Sequence, residues 1–385
     1  MPDRASDIVP PDGASRLGIL SSWNIRCGIA EYCRYLAGAI RAEGVPIEIL
    51  SDRRQTKVRE DESFVCRPWE NTGETAPHLV SAVGQRRLSD LLVQYHPGFY
   101  PPVVLGRVID ELSHAGVRVW VIHHATYHED LPKIASSLSR AAANFVHHQS
   151  DVRRLNGYGV VNVSLFPHPI YVPPDSFDSS EAAGGRDGFC IGGFGFLMPH
   201  KGFLELIAAS YLLRRHIPNL RVRIYAPVYP LPASEKLLSR CRAFIRYLQC
   251  SDIVTLDTEF REVDDLVARL RQCDLLIFPY QCSQESASGA VRMALAARRP
   301  VLCTPLAIFD DIKPLVHFAT GFDAFALGDK IMELYWNQKQ LHEHDALRDH
   351  YLDTHSFSSL ARALLRIIEM QPPLAQVPLE QGAVA

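Results

Sequence analysis

At 385 residues the chain has room for two domains of ordinary size, each with its own core. Its 40 lysines and arginines nearly balance 43 aspartates and glutamates, and the formal charge of -3 removes any global electrostatic case for nucleic acid as a partner. The nine cysteines are odd in number and scattered, with no C-x-x-C pair, which is the usage of reduced core residues in a cytoplasmic protein.

Residues 1–15, MPDRASDIVPPDGAS, carry acids and prolines without an apolar core, so they read as a disordered start that is neither a signal nor a transit peptide. Leu17–Leu20 is the first strand. It feeds SSWNIRCGIAEYCRYLAGAI, in which Ile29, Tyr32, Cys33, Leu36 and Ile40 recur at helical spacing, so a helix begins near Gly28. A strand, a glycine-bearing loop and a helix N-terminus suit a phosphate, but one glycine is far weaker than a G-x-G-x-x-G fingerprint, and a plain strand-to-helix turn is an equal reading. Val45–Leu50 is the second strand, and the charged, irregular stretch Arg53–Thr75 reads as a surface excursion. Leu91–Tyr95 and Val117–Ile122 follow, with a helix over about Val103–His114 between them. Strands alternating with helices predict a doubly wound parallel sheet.

After Ile122 comes HHATYHED, which is open to three readings. His124 and His128 would share a helix face and could bind a metal, though no further ligand is spaced to complete the site. A histidine at a strand end can instead donate to a ligand, and His123, which directly ends the strand, is the favoured residue. The third reading is a surface or half-buried histidine. Strands at Ala143–His147 and Val161–Phe166 lead to residues 174–187, PDSFDSSEAAGGRD, whose composition and lack of periodicity mark a domain linker.

A second sheet opens at Phe189–Phe194 and runs into FGFLMPHKGFLELIAAS. Gly192, Gly193 and Gly195 allow close backbone approach, and Lys201 precedes the amphipathic helix Phe203–Arg214, where a cation opposes the helix dipole unless an anionic ligand is present. Val222–Tyr225 and Ile253–Leu256 are strands, and Val263–Gln272 is a helix. The central stretch is Leu275–Pro305: a buried strand Leu275–Phe278, a loop, a helix opened by Ser286, Ser288 and Gly289 with Ala290, Val291, Ala294, Leu295 and Ala297 on its apolar side, and a strand from Pro300 to Cys303. In such a unit the helix aims free N–H groups into the crevice at the strand ends, where an anion is the natural guest. Glu285 at that mouth would repel a phosphate but could accept from a polyol, so a sugar nucleotide suits the pair. Phe322–Gln338 and Ser356–Met370 read as amphipathic helices, and the tail from Gln371 is too loose to pack.

On these residues the chain resembles the retaining GT-B glycosyltransferases of the large family 4-like group (group 1) that includes many bacterial mannosyl-, glucosyl- and galactosyltransferases. The resemblance runs from about Leu17 to Met370 and rests on WNIRCGIAEY, VIHH, FGFLMPHKG and ESASGAVRMALAARRPV. It implies an α/β fold of two Rossmann-like doubly wound domains facing a central cleft: an acceptor domain over 16–173, the linker, a donor domain over 188–345, and a C-terminal helix over 346–370 that packs back on the first domain, followed by the disordered tail 371–385. It also implies metal-independent transfer with no cofactor beyond the nucleoside diphosphate sugar. By this likeness Lys201 neutralises the donor diphosphate, Glu285 accepts from donor sugar hydroxyls, Gly28 and Ile29 approach the phosphate or the acceptor, and His123 contacts the donor sugar near the reacting carbon. Gly195, Phe196, Ser286, Ser288, Gly289 and Ala290 complete the expected donor contacts.

Two positions depart from the family pattern. Met293 stands where a second glutamate commonly holds the ribose, and Phe196 where an arginine is frequent, with Arg292 or Arg261 as candidate substitutes. The implied activity moves a hexose to a saccharide or lipid-linked saccharide acceptor in bacterial surface polysaccharide or glycolipid synthesis. The departures motivate a non-catalytic sugar-nucleotide-binding or scaffold protein as the alternative, and a sugar-nucleotide epimerase is a third reading. The expected place is the cytoplasm, extending to the cytoplasmic face of the inner membrane. No apolar run approaches the ~20 residues that span a bilayer. The basic pairs Arg53-Arg54, Arg86-Arg87, Arg153-Arg154 and Arg214-Arg215 read first as solvated faces and second as a peripheral attraction to anionic lipid.

Overall fold

Unbroken apolar runs such as LGIL and LLIF are stable only where both faces of a strand are covered, which is the situation of a parallel sheet with helices on each side. The structure, a computed structural model, describes residues 16–53, 56–70, 75–173 and 188–371. The expectations for the N-terminal segment 1–15, the linker 174–187 and the tail beyond 371 lie outside those residues. The described chain forms two compact units, one up to Leu165 together with the residues from Leu364 on, the other Phe166–Ala363.

The first unit is built from β1 (Leu17–Leu20), α1 (Gly28–Ala42), β2 (Ile47–Asp52), β3 (Val65–Trp69), α2 (Thr75–Gln85), β4 (Asp90–Tyr95), α3 (Pro102–His114), β5 (Arg118–His123), α4 (Ala135–Arg140), β6 (Ala143–Val146), α5 (Gln149–Gly157) and β7 (Val163–Leu165). Its sheet is parallel in the order β3-β2-β1-β4-β5-β6-β7. Every residue of β1, β4, β5 and β6 is buried, as the apolar runs require. The surface excursion expected over Arg53–Thr75 contains β3 instead, which pairs with β2 and buries Trp69. Arg67 and Pro68 disguise it: Arg67 turns its charge inward, donating to Asp61, to the Asp52 carbonyl at 2.6 Å and to the Trp23 carbonyl at 3.0 Å.

The second unit holds β8 (Cys190–Phe194), α6 (Phe203–Leu213), β9 (Arg221–Tyr225), α7 (Pro232–Tyr247), β10 (Val254–Asp257), α8 (Val263–Leu270), β11 (Leu275–Phe278), α9 (Gly289–Ala296), β12 (Val301–Cys303), β13 (His317–Phe318), α10 (Ala324–Trp336), α11 (Gln338–Leu341), α12 (Asp345–Thr354) and the start of α13 (Phe357–Met370). Its sheet is parallel in the order β10-β9-β8-β11-β12-β13. The unit begins at Phe166, earlier than the expected 188, because Ile170 bonds both ways along the chain near Ser356: its N–H donates to the His355 carbonyl and its carbonyl accepts from Phe357. The change of unit near the C-terminus falls within α13, at Leu364, rather than at 346.

Gly192 and Gly193 serve packing rather than close approach by a ligand. A Cβ on Gly192 would lie 2.6 Å from Leu276 and one on Gly193 3.0 Å from Leu206. All nine cysteines are free thiols, buried except for Cys66 and Cys282. No helix among the described residues is long and apolar enough to cross a membrane.

Candidate functional site

In an open parallel sheet the strand order reverses at one point, and the loops leaving the carboxyl ends of the two strands there diverge to leave a crevice. In the second unit that point lies between β8 and β11. The loop after β8 runs from Gly195 to Gly202, and the loop after β11 from Pro279 to Ser288, so the expected residues Gly195, Phe196, Lys201, Glu285, Ser286 and Ser288 all lie in these two loops, with Gly289 and Ala290 opening α9 directly after.

Tyr280, which the sequence reading did not single out, joins them. It is 1% exposed, and Lys201 Nζ lies 3.9 Å from its ring centroid. Its hydroxyl is 3.1 Å from Ser288 Oγ, which accepts from the Val291 N–H and so caps α9. Thr304 donates to the Tyr280 carbonyl at 2.6 Å, and Phe309 packs on the ring. A Cβ placed on Gly195 would stand 3.9 Å from both the Tyr280 hydroxyl and Ala290 Cβ, which brings the two loops and the α9 N-terminus to one place.

Lys201 is 8% exposed. Burial alone would lower its pKa, but Tyr280 and Glu285 outweigh burial and hold the ammonium above the ordinary lysine value. No ion pair to Lys201 is found among the described residues. The loop that carries it is fixed by Gly202, at φ 72, whose missing Cβ would fall 1.8 Å from the Pro279 carbonyl oxygen, and by the Gln281 N–H, which donates to the His200 carbonyl at 2.8 Å. Burial and the adjacent Lys201 push the His200 pKa down. Glu285 is exposed, and its N–H donates to Ser283 Oγ. Ser286 is buried, and its Oγ has no hydrogen-bond partner among the described residues.

The two departures have structural counterparts. Phe196 packs edge-on against Tyr229 at 5.1 Å and stacks with Phe260 at 6.3 Å, so an aromatic cluster replaces a cation. Met293 is half-buried on α9. Neither candidate substitute is available. Arg292 is 1% exposed and spent on the Ser288 carbonyl and Asp311, while Arg261 is held by Asp257, Glu259 and Asp265.

In the first unit the order reverses between β1 and β4. The loop after β1 is clamped from below, with Trp23 donating to Glu62 at 2.8 Å and Asn24, in the left-handed region at φ 55, donating to the Glu60 carbonyl. It delivers Gly28 and Ile29 to the start of α1, which no side chain caps. Gly28 is exposed, and a Cβ there would meet nothing within 4 Å, so internal packing does not demand a glycine.

His123 ends β5 as expected, but its ring is 0% exposed, with Nε2 donating to Asn144 Oδ1 at 2.9 Å and Nδ1 without a partner among the described residues. Burial lowers its pKa to about 4 despite the Asn144 hydrogen bond, so it is neutral at pH 7. A ligand-facing role asks for displacement of what encloses it. The stretch from Ala125 to His128 is not helical, and the three histidines do not converge: His124 bonds Gln94, and His128 Nδ1 accepts from the Asp130 N–H.

No family model matches the chain. Solved structures do. Sucrose-phosphate synthase from Thermosynechococcus elongatus aligns over 92% of this chain and 98% of its own at a TM-score of 0.72 and 13% identity. A glycosyltransferase from Rickettsia africae aligns over 93% and 100% with a TM-score of 0.71 and 12% identity. The fold is GT-B. HepE from Anabaena, solved in complex with UDP, aligns over 93% of this chain and 100% of its own at 0.71 and 13% identity. At such identities the likeness speaks for the GT-B fold of two Rossmann-like units, while the residues at each switch point must speak for the chemistry.

Proposed function

We propose that this GT-B protein is a retaining hexosyltransferase that takes its sugar from a nucleoside diphosphate sugar. The observation that carries the reading is Lys201, a buried ammonium kept charged in a switch-point loop with no ion pair among the described residues. The unpartnered Ser286 Oγ and the N-terminus of α9 belong to the facing loop. This is the chemistry that a diphosphate needs from its host. The bond from the anomeric carbon to the phosphate oxygen breaks, the nucleoside diphosphate leaves with the electron pair, and Lys201 offsets the charge that grows on it. The acceptor hydroxyl oxygen forms the new bond on the same face and passes its proton to the departing phosphate.

Glu285 takes hydrogen bonds from the donor sugar, and Gly195, Phe196, Ser288, Gly289 and Ala290 line its approach. Gly28 and Ile29 keep the approach role that the resemblance assigns, and His123 takes its sugar-contact role only once the groups that enclose its ring are displaced. The acceptor is a saccharide or lipid-linked saccharide, the setting is surface polysaccharide or glycolipid synthesis at the cytoplasmic side of a membrane, and transfer proceeds at the same rate with or without added Mg2+ or Mn2+. Retention in the pelleted fraction with anionic vesicles at low but not high salt supports peripheral docking, and equal recovery at both salts removes it.

The deciding experiment is thermal unfolding against a panel of UDP-, GDP-, ADP- and dTDP-sugars, with Lys201→Ala beside the wild type. A donor at ~100 times its dissociation constant adds about 2.7 kcal/mol. A shift with one nucleotide class that the variant loses supports the reading, and no shift with any of them overturns it. Because Phe196 and Met293 replace polar family residues and both nearby arginines are spent, a non-catalytic sugar-nucleotide binder is the second reading. It is favoured if a donor shifts the protein and no acceptor yields product.

A further inference from the structure

His317 opens β13, the edge strand of the second sheet, and is 4% exposed. Its Nε2 lies 3.1 Å from the Leu341 carbonyl oxygen. A carbonyl only accepts, so Nε2 carries the proton, and Nδ1 of the neutral ring presents a lone pair. Glu343 Oε1 lies 3.5 Å from that nitrogen, and the same oxygen is 3.5 Å from Nε2 of His344. The His317 and His344 rings are tilted together with centroids 4.7 Å apart, and the three ligand atoms lie within 4.8 Å of one another. With His344 in its Nδ1–H tautomer, two imidazole nitrogens and a carboxylate oxygen offer lone pairs within reach of a common point, an arrangement suited to a cation between them.

We propose that His317 Nδ1, Glu343 Oε1 and His344 Nε2 form a structural site for a divalent zinc-class metal ion, clipping the sheet edge to the turn between α11 and α12. The donor set is of the borderline kind that suits zinc. With bonds of 2.0–2.1 Å, tetrahedral ligands sit roughly 3.3 Å apart, so two of the three separations are already close to those of a bound site. The Leu341 carbonyl fixes the tautomer and ring orientation of His317 from the side away from the metal, as outer-shell acceptors do for metal-bound histidines. Glu343 and His344 can close the remaining distance, since the Glu343 side chain is 48% exposed and that of His344 25%. His342, next in line, is occupied by Asp345 at 2.9 Å. The fourth position is left to water. β12 separates this edge from the β8–β11 switch point, so the clip acts on the stability of the unit and not on the transferred sugar.

The test uses the full chain, stripped with a chelator and titrated with zinc chloride against a chromophoric competitor. One zinc per chain should bind and raise the melting temperature. Glu343→Gln and His344→Ala, both at accessible positions where folding is not at stake, should weaken binding about 100-fold or more, beyond what loss of an outer-shell partner alone brings. Cobalt in place of zinc should give a tetrahedral visible spectrum without a thiolate charge-transfer band, which separates this site from the cysteines. Failure to bind zinc, wild-type affinity in both variants, or a thiolate band would overturn the proposal.

Discussion

Tyr280 shows how one side chain ties a charge to a helix. Its ring lies under the Lys201 ammonium and its hydroxyl meets the serine that caps α9. Tyr280→Phe keeps the first contact and loses the second, so a stability loss of about 1 kcal/mol is expected, with donor-induced stabilisation retained. Tyr280→Leu removes the desolvated cation–π contact, worth about 2 kcal/mol, and should abolish the donor shift as well. Urea unfolding with and without nucleotide sugar separates the two; identical behaviour of both variants would sink the assignment. His123 sets a pH dependence in the same residue-by-residue way. Its folded pKa, near 4, lies below the ordinary 6.5, so the unfolded chain binds the proton first. Its stabilising share is complete above about 6.5 and lost as pH falls from there toward 4, up to about 3 kcal/mol. His124, pushed down by burial and by its histidine neighbours, acts in the same direction. His123→Gln, which can still donate to Asn144, should flatten the fall of melting temperature between pH 7 and 5. Asp61, held at about 2 by the Arg67 hydrogen bonds, adds its own loss only in stronger acid, below about 4.

At the scale of elements, legibility follows how much of each segment's pattern is local. β1 and β11 are four consecutive buried residues, and their sequences say so without help from the rest of the chain. β3 buries only Trp69 fully and satisfies Arg67 through three separate segments, a partnership that composition cannot show. α7 went unread because its buried stripe, Ser234, Leu237, Cys241 and Ile245, is narrow and partly polar within a charged segment. The candidate site divides likewise. Lys201 and Glu285 stand out because each is an unusual charge at a helix mouth, and Ser286 is legible from the helix it opens, whereas Tyr280 carries no motif and gains meaning only from neighbours across the sheet. Gly202 is an element-scale contact of this kind: a Cβ would strike the Pro279 carbonyl and sit at φ 72. Gly202→Ala should therefore cost about 3 kcal/mol from strain and overpacking together, and should displace Lys201 enough to remove the donor shift. A urea midpoint equal to wild type would show that the two loops are not seated on one another as described. Asp61→Asn, which leaves Arg67 without its carboxylate, should cost about 1.5–3 kcal/mol and loosen β3 without touching donor binding.

Across the whole molecule, the polypeptide leaves the first unit at Leu165 and returns to it at Leu364. The return is secured by Arg118, which pairs with the fully buried Asp90 at 2.8 Å and donates to the Ile368 carbonyl at 2.9 Å and to that of Gln371. Asp90 also accepts from Trp120 at 2.9 Å, so removing it strands a buried guanidinium and an indole N–H together. Asp90→Ala should cost about 3–5 kcal/mol, and hydrogen exchange should quicken in β4, β5 and the last turns of α13. A nucleotide sugar should act elsewhere. If the diphosphate sits where Lys201 and the α9 N-terminus imply, exchange should slow in residues 195–203 and 279–292 of the wild type, because ligand contact suppresses local opening where the backbone is held. The same two segments should slow in Asp90→Ala, since the variant's damage lies in the other unit, and should not slow in Lys201→Ala. Protection confined to residues 21–30 would instead place the phosphate on the first unit at Gly28, and the reading of Lys201 as the diphosphate's counter-charge would fall with it.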